Sequence, residues 1–356
     1  MRIKIEQFLF GANHSWALVG KSIARELLAL GHSIELISTD GILPEYLPSD
    51  LAPFQRKDPS GAYDAQFSYT AMFNFARFLK SGSTNRWGMW AYEWPLMPPE
   101  FVKYHRSADF VLVPSQWCQE NFVSQKIPAS KVKVIPHGIT LDNFQSKEKF
   151  PLKTSKSVKI LMDLGQAHLR KNIAGALKAF GKAFSKSDDV CLVAKIHQKP
   201  IKHQFDVDVR KLFQDFRQEF PQHAEIELIT QYVPNIIELY NACDIVYTLS
   251  FAEGFYMPGL NALATGKLNI APRYGGQLDF LNDENSLLVE GKVIRAHPKM
   301  QYWSPNLHNT CFETDLDDAV SKLRAGVANP QPKASTFEIS DWTWNTQVKK
   351  ILELSK

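Results

Sequence analysis

SFAEGFYMPGLNALATGKLNIAPRYGGQLD, residues 250–279, is the stretch on which the reading of this chain turns. It sets the ionisable Glu253 at the end of an apolar run, follows it with Gly254, and then opens a helix that carries Pro258 in its first turn. Gly266 closes that helix, Leu268-Asn269-Ile270-Ala271 reads as a strand, and Gly275-Gly276 makes a loop. An acid at the carboxyl end of a strand, beside a helix N-terminus, sits where open α/β sheets bind their ligands. The same helix end offers unpaired N–H groups to an anion such as a phosphate.

Working outward, strands and helices alternate. Ile3 to Leu9 reads as a strand, and Trp16, Val19, Ile23, Ala24, Leu27 and Leu30 recur at helical spacing until Gly31. Further strands are expected at Ser33–Ser38, Asp64–Tyr69, Arg86–Tyr92, Phe110–Pro114 and Lys131–Pro136, with Ser115 capping a helix. Between Leu141 and Ser157 the periodicity fails and polar residues dominate, which marks an interdomain connection. A second series follows: strands at Val158–Leu164, Val190–Ile196, Ala224–Ile229 and Ile245–Leu249, with a helix over Asn172–Phe184. Strand, helix, strand in repetition implies parallel, doubly wound sheets. The expected domains are residues 1–148 and 149–339, and a last helix within 340–356 begins at about Trp342.

Length and composition agree with two ordinary domains. The 356 residues are 44% hydrophobic and 22% charged, which excludes a disordered chain, and a formal charge of +4 without a basic run does not indicate nucleic acid. Cys118, Cys191, Cys243 and Cys311 lie far apart, so no disulfide framework or zinc site is expected. The start, Met1 to Glu6, lacks the apolar core of a signal peptide, and no apolar run of about twenty residues exists to span a membrane. The expectation is a cytoplasmic protein; peripheral contact with a membrane surface stays open.

Gly165-Gln166-Ala167-His168-Leu169-Arg170-Lys171-Asn172 lies between a strand and a helix, where adjacent cations and the helix dipole together suit a diphosphate. A solvated basic turn is the plainer alternative. Trp87-Gly88-Met89-Trp90-Ala91-Tyr92-Glu93-Trp94-Pro95 ends the fourth strand with aromatics beside an acid, which fits either a sugar-stacking wall or a core corner. Asp206-Val207-Asp208 matches a metal-nucleotide pattern but falls in a helical stretch, and Asp315-Leu316-Asp317-Asp318 reads as a helix cap.

The Glu253 segment resembles the donor-binding signature of family 4 glycosyltransferases, Glu-Gly-Phe-x-x-Pro-x-Leu-Glu, with Asn261 in place of the second acid. The Arg170-Lys171 turn is similar to that family's phosphate turn, with Gln166 where an Arg is usual. Pro136-His137-Gly138-Ile139 also resembles a family segment. The resemblance implies a GT-B architecture of two Rossmann-like domains, the C-terminal helix crossing back to the first. It implies a retaining hexosyl- or pentosyltransferase that takes a nucleotide-diphosphate sugar without a divalent metal or other cofactor.

By that resemblance Lys171, Arg170, Glu253 and Glu93 form the catalytic group. Gln166, Tyr232, Val233, Gly254, Phe255, Tyr256, Met257 and Asn261 would hold the donor, with Asn261 on its ribose. Asn13, His14, Trp94, His137 and Gly138 would line the acceptor side. Plainer roles stay open: helix capping by Asn13 or Ser15, turn conformation for Gly138, and loop packing for Tyr232. An epimerase or hydrolase of the same fold, and a non-catalytic sugar-nucleotide-binding subunit, are the alternatives. The acceptor could be glycan, lipid, protein, small molecule or nucleic acid.

Overall fold

The computed structural model describes residues 1–7, 15–38, 47–57, 61–80, 82–83, 85–196, 207–332 and 337–355. Two compact units divide it: Met1–Thr140 with Glu338–Lys356, and Leu141–Phe337. The divide thus falls at Thr140, at the head of the polar stretch, and again just after Phe337.

In the first unit six strands form one parallel sheet: β1 (Arg2–Gln7), β2 (Ser33–Ser38), β3 (Ala65–Tyr69), β4 (Asn85–Met89), β5 (Phe110–Val113) and β6 (Val132–Val134). Their spatial order is β2-β1-β3-β4-β5-β6. All five residues of β3 are buried, as expected of a sheet covered on both faces. Its helices are α1 (Ser15–Ala29), α2 (Phe75–Phe78), α3 (Pro99–Val102) and α4 (Gln116–Ser124). Ser115 caps α4 by accepting from the Cys118 N–H at 3.2 Å.

The C-terminal segment completes this unit. Ile139 N–H donates to the Trp342 carbonyl at 2.8 Å, and Trp344 N–H donates back to the Ile139 carbonyl at 3.0 Å. The helix Trp344–Leu352 then buries Trp344, Val348 and Ile351 and packs on α1, where Asn345 donates to Glu26 at 3.2 Å.

The second unit repeats the plan with α5 (Leu141–Gln145), β7 (Val158–Gly165), α6 (Ile173–Ala183), β8 (Val190–Ile196), α7 (Val209–Glu219) and β9 (Glu225–Ile229). It continues with α8 (Ile236–Ala242), β10 (Ile245–Tyr247), α9 (Met257–Ala264), β11 (Leu268–Pro272) and β12 (Ser286–Val289). The sheet order is β12-β11-β10-β7-β8-β9, all parallel. Ile160, Met162 and Leu164 of β7 face an apolar layer with Phe180, Phe213 and Leu323, whereas Leu161 faces one with Leu239, Tyr240 and Ala262. This alternation is the period of two that strands impose on side chains.

A two-stranded antiparallel ribbon, β13 (Gly291–Arg295) with β14 (Thr310–Thr314), has no counterpart in the sequence reading. Four of the five β13 residues are exposed, so no apolar alternation announces the strand. The last helix of this unit, α10 (Leu316–Ala328), is capped by Asp315, which accepts from the Asp318 N–H at 2.9 Å. Asp208 likewise caps α7 through the Lys211 N–H at 3.1 Å; Asp206 lies outside the described residues. No helix among the described residues is long and apolar enough to cross a membrane.

Gly138 shows how tightly the C-terminal segment is bound. A Cβ there would strike the backbone of Trp344 and Thr343, which cannot retreat without breaking the Ile139 bonds. Gly138→Ala is therefore expected to destabilise the protein by about 1–3 kcal/mol, the usual cost of overpacking. Urea unfolding measures it, and an unchanged midpoint would contradict the close approach.

Candidate active site

The strand order of the second unit reverses at β7: β8 and β9 are added on one side, β10, β11 and β12 on the other. Crevices at such a reversal, beyond the carboxyl ends of the strands, are where open α/β sheets bind ligands. The two segments that leave β7 and β10 supply the candidate residues. They are tied together by Phe251 N–H donating to the Arg170 carbonyl at 2.9 Å and by Asn172 Nδ2 donating to the Leu249 carbonyl at 3.0 Å. Asn172 stands at positive φ and caps α6 with its side chain, accepting from the Gly175 N–H. Asparagine tolerates that conformation better than most residues.

This lacing brings Glu253 between two cations. Lys171 Nζ lies 2.7 Å from Glu253 Oε1 and Arg170 Nη1 lies 2.9 Å from Glu253 Oε2. Arg170 Nη1 also donates to the Ala252 carbonyl at 2.5 Å. Glu253 is only 5% exposed. Burial works to raise its carboxyl, but the charges of Arg170 and Lys171, with hydrogen bonds from Lys171 and Ser250, outweigh it and hold the group at about 2. The Lys171 side chain is 15% exposed against 7% for Arg170, so its ammonium is the more accessible of the two.

Two backbone features frame the carboxylate. Gly276 N–H donates to the Glu253 carbonyl at 2.9 Å, and Gly275 stands at φ +89°, where an added Cβ would meet that same carbonyl. Only glycine meets both demands. On the other side α9 begins at Met257 after Tyr256, which stands at φ 67° and gives no side-chain cap. In its first turn Pro258 carries no N–H, and Gly259 N–H donates to the Tyr256 carbonyl at 3.1 Å.

Beside this triad lies a second polar group that the sequence reading missed. Asp163 and Lys195 are register partners on β7 and β8. Tyr240 of α8 donates its hydroxyl to Asp163 Oδ2 at 2.9 Å, and Asn261 of α9 is half-buried. Burial raises the Asp163 carboxyl, against the pull of the Tyr240 bond and of Lys195 and Lys171. Burial lowers the Lys195 amine, and Asp163 opposes it. The available signal was a charged residue at matching places near the ends of two apolar strands, MDLG and VAKI.

The remaining expected residues fall into distinct settings. Gln166 Oε1 lies 2.6 Å from His168 Nε2, and the His168 ring meets Tyr302 edge-on at 4.8 Å. Val233 is buried, whereas Tyr232 is 60% exposed in the segment after β9. Gly254, Phe255 and Tyr256 are buried and Met257 is half-buried.

In the first unit, Tyr69 at the end of β3 contacts His137 Nε2 through its hydroxyl at 3.2 Å, and Trp16 and Trp344 flank the pair. Burial pushes the His137 imidazole down to about 3, so it is neutral at physiological pH. Glu93 is half-buried; after burial itself, its charge is what raises the Tyr69 hydroxyl. Trp94 is wholly buried, its indole N–H without a partner among the described residues, so the ring packs on protein. Asn13 and His14 lie outside the described residues.

Comparison with known proteins agrees with this geometry. Residues 144–300 match the family model described as glycosyl transferases group 1. The chain is 23% identical over 241 residues to a protein provisionally named glycosyltransferase 45 from Sulfolobus islandicus filamentous virus. That match spans 66% of this chain and 61% of the viral protein's length. Its architecture is that of Anabaena HepE, solved in complex with UDP and glucose, at a TM-score of 0.66, with 14% identity and 99% of each chain covered. It is likewise that of a sucrose-phosphate synthase from Thermosynechococcus elongatus, at 0.65, 14%, 100% of this chain and 95% of that one. Both sheets of this chain therefore belong to the GT-B fold.

The Glu253 carboxyl makes the triad pH-sensitive. Its folded value lies below its ordinary 4.5, so it contributes stability above that value and loses it as pH falls toward about 2. Glu253→Gln should thus lower the urea midpoint most at neutral pH, and the deficit should shrink progressively between pH 4.5 and 2. A deficit that stays constant over that range would contradict the ion triad.

Proposed function

We propose that this chain is a retaining glycosyltransferase that moves a sugar from a nucleotide-diphosphate donor to an acceptor hydroxyl. The observation that carries the reading is the buried closure of Arg170 and Lys171 on Glu253 at the strand-order reversal of the second sheet. The group 1 match over residues 144–300 spans this whole constellation, and the UDP-glucose complex of the similarly folded HepE supports a nucleotide-sugar ligand.

In this reading the glycosidic C–O bond breaks with its electron pair passing to the diphosphate oxygen. Retention requires the acceptor oxygen to bond on the face that the diphosphate vacates, and its proton passes to the departing diphosphate oxygen. Lys171 meets the growing phosphate charge, since its ammonium is the more exposed cation, while Arg170 stays on Glu253 and the Ala252 carbonyl and fixes the carboxylate. The α6 and α9 N-termini add positive potential at the same place. Preorganised charges of this kind supply the largest usual share of catalysis, so no metal or other cofactor is needed. With Arg170, Lys171 and Ser250 on it, the Glu253 carboxylate keeps one of its about four lone-pair sites for a sugar hydroxyl.

Exposed Tyr232 offers a ring for the base. A cytoplasmic site of action fits four cysteines that are buried as thiols.

A panel of nucleotide sugars with product analysis tests the proposal: a glycoside with retained configuration supports it. Free or epimerised sugar would make the chain a hydrolase or epimerase, and donor binding without any product would make it a binding subunit. Lys171→Ala is expected to lower turnover about ten- to a hundredfold, the loss of one charge-assisted contact in the transition state, and to lower stability because Glu253 loses one of its two cations. An unchanged rate in the folded variant would remove Lys171 from the site.

A further inference from the structure

We propose that Lys195 binds the nucleoside half of the donor, its amine donating to an oxygen of the ribose or base one strand along the crevice from the phosphate turn. The inference rests on the donor-binding reading above and extends it from the diphosphate to the nucleoside.

Strand β8 alternates as β7 does. Cys191 and Val193 belong to the apolar layer with Leu239 and Tyr240, whereas Leu192, Ala194 and Ile196 belong to the opposite one. The period of two therefore puts Lys195 on the α8 side, next to last in the strand at its carboxyl end. Its register partner Asp163 takes the same side, where the Tyr240 hydroxyl reaches it. Lys195 is only 6% exposed, yet among the described residues it makes no hydrogen bond and no ion pair. A buried donor without an acceptor costs its full desolvation, so a lysine is a poor choice for a position that only has to fill space. At the crevice where open sheets bind ligands, the acceptor is one that the ligand brings.

Position along the sheet selects the part of the ligand. The order β10-β7-β8-β9 sets Glu253, then Arg170 and Lys171, then Lys195, then Tyr232 at or just beyond successive strand ends. Neighbouring strands lie about 4.8 Å apart, so Lys195 stands one step past the phosphate turn and one step short of the segment that carries Tyr232. A nucleotide sugar has its parts in a fixed sequence: sugar, diphosphate, ribose, base. With the sugar on Glu253 and the diphosphate on Lys171, ribose and base run over β8 and β9. Ribose hydroxyls and ring carbonyls both accept from an amine, whether or not the amine carries its extra proton.

Calorimetric titration of the full chain tests the assignment. The ligands are UDP, ADP and GDP, the 2′,3′-dideoxy form of each, and inorganic pyrophosphate. The proteins are the unaltered chain and Lys195→Met, which keeps the length of the side chain and removes its donor. The variant is expected to bind the preferred nucleoside diphosphate about three- to thirtyfold more weakly, the loss of one hydrogen bond, with its affinity for pyrophosphate unchanged. A loss that vanishes with the dideoxy form places the oxygen on ribose, and one that persists places it on the base. Unchanged affinity of the folded variant for every nucleoside diphosphate overturns the assignment and leaves the donor reading intact. Equal weakening of pyrophosphate also overturns it, because Lys195 would then serve the phosphates. The urea midpoint of the variant is expected to hold or rise, since an unpaired amine leaves the interior; a lower midpoint overturns the assignment in favour of a structural role. No binding of any nucleoside diphosphate by the unaltered chain overturns the donor reading and the assignment with it.

Discussion

Glu253 sits in the protein interior as a carboxylate, and that is tolerable only because two cations reach it. Burying a lone carboxylate costs far more than a typical interaction returns, and even a buried pair struggles to recover its desolvation. The site solves this by converging four backbone devices on one side chain: the Phe251–Arg170 bond, the Asn172 cap, the Arg170 contact with the Ala252 carbonyl, and the Gly275–Gly276 turn. Each holds the segment after β7 or the segment after β10 in place. The triad is thus less a source of stability than a constraint that the surrounding loops are built to satisfy.

That constraint has a chemical consequence. Three charged groups with one net positive charge, sheltered from water, present a field suited to an anion. Because Glu253 already orders both cations, little rearrangement is needed when a ligand arrives, which is the condition under which electrostatic stabilisation is most effective. The neighbouring Asp163–Lys195–Tyr240 group applies the same logic to a second, half-buried carboxylate.

The first unit shows a different use of burial. His137 is kept neutral by being enclosed with Tyr69, Trp16 and Trp344, so its ring nitrogens serve as fixed hydrogen-bonding groups and not as a charge. The C-terminal segment is part of that enclosure through Trp344 and the Gly138 contact. A glycine in the Pro136–Ile139 segment therefore has a packing reason that stands apart from any ligand.

The strands from β1 to β11 and the parallel arrangement of the two sheets were legible in the sequence; β12 and the β13–β14 ribbon were not. Val190–Ile196 and Ser33–Ser38 are strands as read, and Ser115 and Asp315 cap helices as read, because periodicity and capping are local and survive folding. Glu253 and Arg170-Lys171 stood out for the same reason: charges at strand ends interrupt apolar runs.

What the sequence could not decide was adjacency. Lys171 and Glu253 are 82 residues apart and meet because β10 is laid beside β7, an order that no local pattern encodes. Asp163 and Lys195 became partners through parallel register, the exposed β13 ribbon had no alternation to reveal it, and Trp94 proved to be core where composition allowed a binding wall. Local sequence sets which face of an element is apolar and where it ends; only the packed sheet sets which ends share a crevice, because pairing is chosen by burial of whole layers.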